Sequence, residues 1–330
     1  MLIAGDIGGT KTDLAIFSTE AGPHSPLEQA RMHSADYPSL QAMVKEFLAK
    51  AKKPVDRACF AVAGPVIGGR VKTTNLPWVI EEHSLAQDLK MNLDSVHLLN
   101  DLEAVARAIP FLGPSDVTTI NVGERVPGGS IAVIAPGTGL GESFLTWDGS
   151  RYRAYGSEGG HCDFAPTDAR QARLIEFMFT LFAHVSFERV CSGIGVPYLY
   201  RYLRDIEHLP ETAEVAKLID SASDPSVAII EKAMDPVSPS KLCEATIDLF
   251  LSILASEASN LALKFLATGG VYLAGGVAVH TLPLIQRPAF LERFRRKGRF
   301  ADLMGRIPVH VVVTPAGLLG AAASGLENSV

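Results

Sequence analysis

Two glycine-rich turns, each between a pair of short apolar strands, constrain this chain more than any other feature. The first turn is Asp6-Ile-Gly-Gly-Thr-Lys-Thr12, between apolar residues 2–5 and 14–17. The second is Pro136-Gly-Thr-Gly-Leu-Gly141, between residues 130–135 and 143–147. Each pattern predicts a strand, a tight turn and a returning strand. With 330 residues, the chain is long enough for two domains. The repeated unit therefore predicts two similar α/β halves that face each other.

The first turn has the composition of a phosphate-binding loop. Gly8 and Gly9 allow backbone N–H groups to converge on an anion, and Thr10, Lys11 and Thr12 offer further donors. A carboxylate at the strand end, Asp6, would repel a phosphate unless a cation lay between them, so Mg²⁺ is implied, held by Asp6 through water. The alternative is a plain hairpin with a Gly-Gly turn.

The second turn supports the phosphate interpretation. Neither segment is a Walker loop or a dinucleotide fingerprint, because residues 139–141 lead into a strand pattern and not into a helix. A third buried strand, residues 271–274, ends at Gly275-Gly276. These two hairpins, taken together with the glycine pair at the end of the third strand, favour a nucleotide-binding site over three unrelated turns.

The remaining pattern suggests where the domains divide. A helix over residues 102–109 is followed by Pro110, residues 220–240 are broken by proline and serine, and a long helix covers 240–268. The pattern therefore predicts a domain boundary near Pro110.

Composition excludes several classes of protein. A net charge of −6 argues against a nucleic-acid partner, and the basic cluster at 293–299 is typical of a solvated helix end. The most apolar stretch, residues 177–183, is too short to cross a membrane, and no targeting segment is visible. The four cysteines are scattered, which is typical of reduced thiols in a cytoplasmic protein and not of a disulfide framework or zinc site.

The order of these motifs resembles the superfamily of actin, the large heat-shock ATPases and the sugar kinases. Its two phosphate loops, its adenosine loop and its closing connection look like residues 6–12, 137–141, 273–277 and 314–320. Over nearly its full length the chain is similar to bacterial glucokinases, most tellingly at residues 99–104, 135–141, 158–166 and 187–193. The resemblance implies an α/β protein with two actin-like ATPase domains (ribonuclease-H-like) flanking a cleft. The small α/β domain would comprise residues 1–109 and 315–330, and the large one residues 110–314. His161 lacks the Cys-rich zinc motif usual in the related repressor-and-kinase family, so no zinc is expected.

The resemblance also implies the site residues. Those expected to bind ATP are Gly5, Asp6, Ile7, Gly8, Gly9, Thr10, Gly137, Thr138, Gly139, Gly141, Gly275 and Gly276. Those expected to bind the sugar are Asn100, Glu158, His161 and Glu188. Trp78, after Thr74-Asn-Leu-Pro77, either flanks the sugar or belongs to the core, and Asp163 is a second carboxylate whose role stays open.

Asp101 is the expected general base, since a sugar hydroxyl is a poor nucleophile until a positioned carboxylate accepts its proton. Structural alternatives exist for three of these residues. Asp101 could merely cap the helix that follows it, His161 could be a structural histidine, and Glu188 could be a surface charge in a helix.

The expected reaction is ATP-dependent phosphorylation of glucose at its 6-hydroxyl. One alternative is a kinase of another hexose, such as mannose or fructose. Another is an ATP-binding regulator or chaperone-like ATPase, for which a peptide-binding or helix-turn-helix segment would be expected and none is found in the sequence. A homodimer is implied by the resemblance alone.

Overall fold

The computed structural model of the chain describes residues 1–73 and 76–327. Thr74 and Asn75, which precede Trp78 in the sequence, lie outside the described residues, as do the last three residues of the predicted small domain. Two compact units are present: a first unit of Met1–Ser115, Tyr152–Gly156 and Thr314–Val330, and a second unit of Asp116–Arg151 and Ser157–Val313. This division begins the second unit six residues later than the sequence placed it, and the domain assignment stays a prediction.

The described residues form strands and helices in alternation along much of the chain. The strands are β1 Leu2–Ile7, β2 Lys11–Phe17, β3 Glu28–His33, β4 Arg57–Val62, β5 Arg70–Lys72, β6 Val79–Glu81, β7 Val96–Asn100, β8 Val117–Asn121, β9 Ile131–Pro136, β10 Leu140–Trp147, β11 Tyr152–Ser157, β12 Gly270–Leu273 and β13 Val309–Val312. The α-helices are α1 Leu40–Ala51, α2 Glu82–Leu89, α3 Asp101–Ala108, α4 Ala169–Phe179, α5 Val196–Asp205, α6 Ala213–Asp220, α7 Pro225–Ala233, α8 Lys241–Lys264, α9 Gly276–His280, α10 Leu282–Ile285, α11 Pro288–Arg295, α12 Ala301–Arg306 and α13 Gly317–Glu327.

The first unit is a sheet of order β3-β2-β1-β4-β7 with helices on both faces. β1 pairs antiparallel with β2 and parallel with β4, so it lies at the centre and is almost wholly apolar. Alternate residues of β1 point to opposite faces. Ile3 and Ile7 pack in the cluster that contains residues of α1 and α2, whereas Leu2 and Ala4 pack with residues of α3 and α13.

The second unit repeats this strand arrangement. Its strands run in the order β10-β9-β12-β13-β8, and β9 again pairs antiparallel with the strand that follows it and parallel with β12. β12 and β13 are parallel, as β4 and β7 are in the first unit. The structure therefore confirms that the two halves share one strand–turn–strand plan.

Helix α8 forms the core of the second unit. Its residues pack in one cluster with those of β9 and β12, and the helices α5, α7 and α11 contact it. By length and composition alone α8 could cross a membrane, but 78% of its apolar window is buried inside the protein. It is therefore a core helix of this fold.

The segment that the sequence described only as broken, residues 220–240, contains helix α7. Asp224 caps this helix by accepting from the N–H groups of Ser226 and Val227, and Pro225 occupies its first turn. A proline at the first helical position lacks only an N–H that would be unpaired there anyway, so it starts this helix rather than breaking it.

Candidate active site

The first glycine turn is held in shape by Ser34. The Ser34 hydroxyl donates to the carbonyl oxygen of Gly8 at 2.8 Å, and its N–H donates to that of Thr10 at 2.9 Å. The Thr12 hydroxyl is fully buried and lies 3.0 Å from the Ser34 hydroxyl. The expectation that Thr12 donates to a phosphate is therefore wrong, because its hydroxyl serves the loop.

Other predicted nucleotide contacts of this loop differ in exposure. Gly5 and Ile7 are buried within β1, whereas Gly8, Gly9 and Thr10 reach the surface. A side chain at Gly8 would come 2.6 Å from the carbonyl oxygen of Lys11, so only glycine fits this turn. The surface of the loop that could approach an anion is therefore residues 8–10.

Asp6 lies on β1, on the face that packs against α13. Its carboxylate contacts Gly317, the first residue of α13, where a Cβ would overlap it. Within residues 1–73 and 76–327 no hydrogen bond reaches this carboxylate. Burial raises the pKa of Asp6 to about 6, helped by the charges of Asp101 and Asp13 and opposed by Arg31. A partly buried carboxylate that faces other negative charges is well suited to contact a cation.

Asn100 and Asp101 lie at the junction of β7 and α3, and the structure separates their roles. The side-chain oxygen of Asn100 accepts from the N–H groups of Leu102 and Glu103 at 2.9 and 3.3 Å, and its amide donates to the carbonyl of Gly64 at 3.1 Å. Asn100 is therefore the N-cap of α3, and the alternative that assigned the cap to Asp101 is wrong.

The carboxylate of Asp101 remains in contact with solvent. One of its oxygens also accepts from the N–H of Leu102, at 2.9 Å. Partial burial raises the pKa of Asp101, while the bonds from Leu102 and the Asn100 side chain oppose that rise. Since Asn100 already serves as the N-cap, Asp101 is not needed for that role, although an acid in the first turn also interacts favourably with the helix dipole.

In the second unit, backbone hydrogen bonds hold the second glycine turn. Gly137 donates to the carbonyl of Gly139 at 2.9 Å, and the carbonyls of Gly137 and Thr138 accept from Gly193 and Ile194 at 2.7 and 3.1 Å. No atom lies within 4 Å of a Cβ built on Gly137, so open space adjoins the turn there.

The third strand end lies beside this turn. Gly275 follows β12 with a φ of 84°, and a Cβ on it would come 2.7 Å from the carbonyl oxygen of Pro136. The structure therefore brings Gly275 and Gly276 to the end of β9, where the second turn begins.

The predicted sugar contacts of the second unit form one cluster. The His161 ring nitrogens lie 3.9 Å from a carboxylate oxygen of Glu158 and 3.9 Å from one of Glu188. Glu188 stands in a turn and not in a helix, contrary to the structural alternative, and its other oxygen accepts from the N–H of Leu140 at 3.0 Å. The carboxylate of Glu188 thus links this cluster to the second glycine turn.

Two further candidates have structural surroundings of their own. Asp163 is exposed and its carboxylate lies 3.0 Å from Nε2 of His184. Trp78 is 3% exposed and packs in the core of the first unit, which confirms the core alternative for it. Among the described residues no group of three His, Cys, Asp or Glu side chains could hold a metal ion, and the four cysteines are free thiols.

Comparison with known proteins places this geometry in a family. The glucokinase family profile matches residues 3–328. A glucokinase of Nostoc punctiforme is 39% identical over 338 residues, covering 98% of each chain. One of Synechocystis sp. is 37% identical over 352 residues, covering 99% of this chain and 98% of the relative. The chain belongs to the glucokinase family.

Solved structures agree with this family. The crystal structure of glucokinase from an Antarctic psychrotroph is 30% identical, with a TM-score of 0.82 and 99% of both chains covered. A hexokinase of the repressor-and-kinase family from Thermus thermophilus shares the fold at 19% identity, with a TM-score of 0.63 and 98% and 97% coverage. The similarity confirms the predicted family, the α/β fold class with actin-like ATPase domains, and the assignment to the hexokinase and glucokinase class of phosphotransferases.

The site contains residues that the sequence did not single out. Ser34 ties down the first turn from a separate strand end, and Gly317 allows α13 to reach Asp6. Gly64 accepts from Asn100. Of these residues, only Gly64 and Gly317 lie in segments that the sequence marks. Gly64 belongs to the Gly64-Pro65 pair that ends a strand, and Gly317 belongs to the closing connection.

Proposed function

We propose that this protein transfers the γ-phosphoryl group of ATP to the 6-hydroxyl of glucose, giving glucose 6-phosphate and ADP. The observation that supports it most directly is the Asp101 carboxylate, which is exposed at the start of α3 while Asn100 serves as the N-cap, in a chain whose residues 3–328 match the glucokinase family. Two solved glucokinases of this fold are described in complex with glucose, one of them also with AMPPNP, an ATP analogue.

Sugar recognition is assigned to Glu158, His161 and Glu188, together with Asn100. Two carboxylates and an imidazole offer several acceptors and a donor close together, which suits a molecule covered with hydroxyl groups. Asn100 has little capacity to spare, because its oxygen accepts twice and its amide already donates once. Its contribution to the sugar is the remaining N–H.

Asp101 is assigned the role of general base. Its carboxylate accepts the proton of the attacking hydroxyl as the oxygen bonds to phosphorus, and the proton then stays on Asp101 while ADP leaves. Because Asn100 and the helix N-terminus hold Asp101 in place, little reorganisation is needed at the moment of transfer.

Nucleotide binding is assigned to the glycine turns, Gly8, Gly9 and Thr10 in the first unit and Gly137, Thr138, Gly139 and Gly141 in the second, together with Gly275 and Gly276. Gly5 and Ile7 contribute through the strand that supports the first turn. Glycine at these positions leaves the backbone accessible to a phosphate.

Magnesium is part of the proposal. Asp6 fits a Mg²⁺ site, because its carboxylate is partly buried, lacks a hydrogen bond from the described residues and lies in the field of Asp101 and Asp13. Bound there, Mg²⁺ would neutralise charge on the ATP phosphates. Several other properties remain predictions. They are a cytoplasmic location, a homodimer, and the absence of zinc, of a nucleic-acid partner and of a membrane partner.

A coupled assay of ADP release, run with glucose, mannose, fructose or no sugar, tests the proposal. We expect glucose to give the largest kcat/KM, and turnover without sugar to be negligible because the general base has no hydroxyl to act on. Faster turnover on fructose or mannose would replace glucose by that hexose. ADP release that ignores every sugar would favour the regulator or ATPase alternative.

A further inference from the structure

Glu142, the third residue of β10, is a buried acid that the proposed reaction does not use. Its side chain is 1% exposed, and neither carboxylate oxygen has a hydrogen-bond partner among the described residues. An unpaired charge is strongly disfavoured at such a position, so the neutral acid is preferred. In agreement, burial raises the pKa of Glu142 to about 8, helped by the charge of Glu257 and opposed by Lys264.

The Glu142 side chain lies directly beneath the turn that carries Glu158 and His161. A Cβ built on Gly159 would overlap one of its carboxylate oxygens and come 2.9 Å from its carboxyl carbon. The backbone of Glu142 supports the same turn, since its carbonyl accepts from the Ser157 hydroxyl at 3.0 Å, and that hydroxyl accepts from the N–H of Gly159 at 3.2 Å. The turn therefore rests on Glu142 through both main chain and side chain.

The charged groups around Glu142 come from several elements. Helix α8 contributes Glu257, which is fully buried, accepts from the Asn260 amide at 2.7 Å and lies 3.5 Å from the Lys264 ammonium. Lys297 acts on the same Glu257 from beyond α11. The Cys191 thiol lies within the field of both acids. The turn that contains Gly159 also carries Glu158 and His161, whose side chains approach each other to 3.9 Å.

These contacts distinguish the two buried acids. Glu257 accepts hydrogen bonds from the Asn260 amide and the Lys264 ammonium, whereas neither carboxylate oxygen of Glu142 has a hydrogen-bond partner among the described residues. If Glu142 also became negatively charged, its carboxylate would need to move to reach water or a hydrogen-bond donor. Since Gly159 is the backbone that its oxygen contacts, the turn is the part that such a movement would displace.

We propose that Glu142, in its neutral form, is a positioning residue for sugar binding, holding the Glu158–His161 turn from below. The proposal rests on the assignment of that turn to the sugar. Ionisation of Glu142 disturbs the turn, so sugar affinity falls as the solution becomes alkaline. We expect a smaller effect on ATP affinity, because a carboxylate oxygen of Glu142 approaches Gly159 in the turn assigned to the sugar.

Steady-state kinetics from pH 6.5 to 9.5 test this, comparing wild type with Glu142→Gln and Glu257→Gln. Gln is nearly isosteric with the neutral acid and does not ionise. We expect the wild-type KM for glucose to rise on the order of tenfold across pH 8, with a smaller change in the KM for ATP. In Glu142→Gln the glucose KM should stay near its neutral value. In Glu257→Gln the rise should remain but move to lower pH, because a negative neighbour no longer raises the pKa of Glu142.

Each result decides the question. A glucose KM profile in Glu142→Gln that parallels wild type overturns the proposal, as does an unchanged midpoint in Glu257→Gln. If Glu142→Gln fails to fold, as judged by circular dichroism, the Glu257→Gln midpoint alone decides. A wild-type enzyme that does not phosphorylate glucose contradicts the proposed function instead. Glucose binding measured by calorimetry at pH 7 and pH 9 then still reports on Glu142.

Discussion

The third residue of the returning strand is acidic in both units, Asp13 in β2 and Glu142 in β10. Asp13 accepts two hydrogen bonds from the guanidinium of Arg31, at 2.7 and 2.9 Å. Glu142 is buried without a hydrogen-bond partner among the described residues. One backbone plan thus places an acid at the same point of two hairpins, and the neighbouring strand or helix decides whether it is charged.

The strands that lead into the turns differ as well. β1 carries Asp6 one residue before its end, whereas β9 ends in Ala135 and Pro136. The proposed metal ligand therefore belongs to the first unit, as does the proposed base, Asp101. The proposed sugar cluster around His161 belongs to the second. Both units therefore contain the same glycine turns, whereas the side chains proposed to take part in the reaction differ between them.

Asp101→Asn is expected to give the largest effect. Asn cannot accept the proton, so kcat should fall by about 10²–10⁴, the usual contribution of a general base. Glucose affinity should change little, because Asn keeps the shape of Asp and Asn100 still caps α3. A coupled assay gives kcat, and calorimetry on the same preparation gives the glucose Kd.

Asp163→Asn is the matched control from the second unit. Asp163 is an exposed carboxylate next to His184, and its replacement should leave kcat near wild type. If kcat survived in Asp101→Asn and fell in Asp163→Asn, the base would belong to the second unit and the comparison would be reversed.

The glycine turns and the strands around them could be predicted from the sequence, because their signals are local. Gly8-Gly9 and the apolar residues on either side predict the β1–β2 hairpin, and the structure pairs Ile7 with Thr12 as that pattern requires. The glycines of the second turn and Gly275-Gly276 are predicted from the same kind of local signal, a glycine pair or cluster directly after an apolar strand. The sugar cluster came from resemblance, since no local pattern joins residues 158 and 188.

Most of the features that the sequence does not predict depend on contacts between residues far apart in the chain. Nothing around Ser34 shows that it will bind the loop 26 residues before it, and nothing around Glu142 shows that it will lie under Gly159. The assignment of the α3 cap was open because Asn and Asp are equally good caps, and only the φ and ψ of Asn100 decide between them. Helix α7 was missed although Asp224-Pro225 is a local start signal.

The substitutions Gly8→Ala and Gly137→Ala test whether glycine is needed in each turn for stability or for nucleotide binding. Gly8→Ala would bring Cβ within 2.6 Å of a backbone carbonyl, so it should destabilise the first unit by about 1–3 kcal/mol. Gly137→Ala meets open space and should leave stability unchanged. If phosphate occupies that space, however, the KM for ATP should rise about tenfold, equivalent to about 1.4 kcal/mol.

Thermal unfolding without nucleotide and the KM for ATP, measured on both variants, give the result. A Gly137→Ala enzyme with normal stability and a normal KM for ATP would remove the second turn from the nucleotide site. Equal destabilisation of both variants would mean that the two turns are packed alike, contrary to the structure.

The smallest expected effect concerns the two acids of the returning strands, and it is seen as a change of stability with pH. The pKa of Glu142 is raised to about 8 in the folded protein from a model-compound value of 4.5, so the folded state holds a proton that the unfolded state has lost. Stability from this group is complete below pH 4.5 and is lost as pH rises through 8. Between pH 7 and 9 the wild-type free energy of unfolding should therefore fall relative to Glu142→Gln by on the order of 1 kcal/mol.

Asp13→Asn is the control for that measurement. It removes the carboxylate that pairs with Arg31 and leaves Glu142 unchanged, so its difference from wild type should stay constant over that range. Urea unfolding at pH 7, 8 and 9 gives all three curves. If the Glu142→Gln difference were as flat as that of Asp13→Asn, Glu142 would already be charged at pH 7. The contrast between a paired acid in one unit and a neutral acid in the other would then be wrong, and a donor to Glu142 would have to be sought.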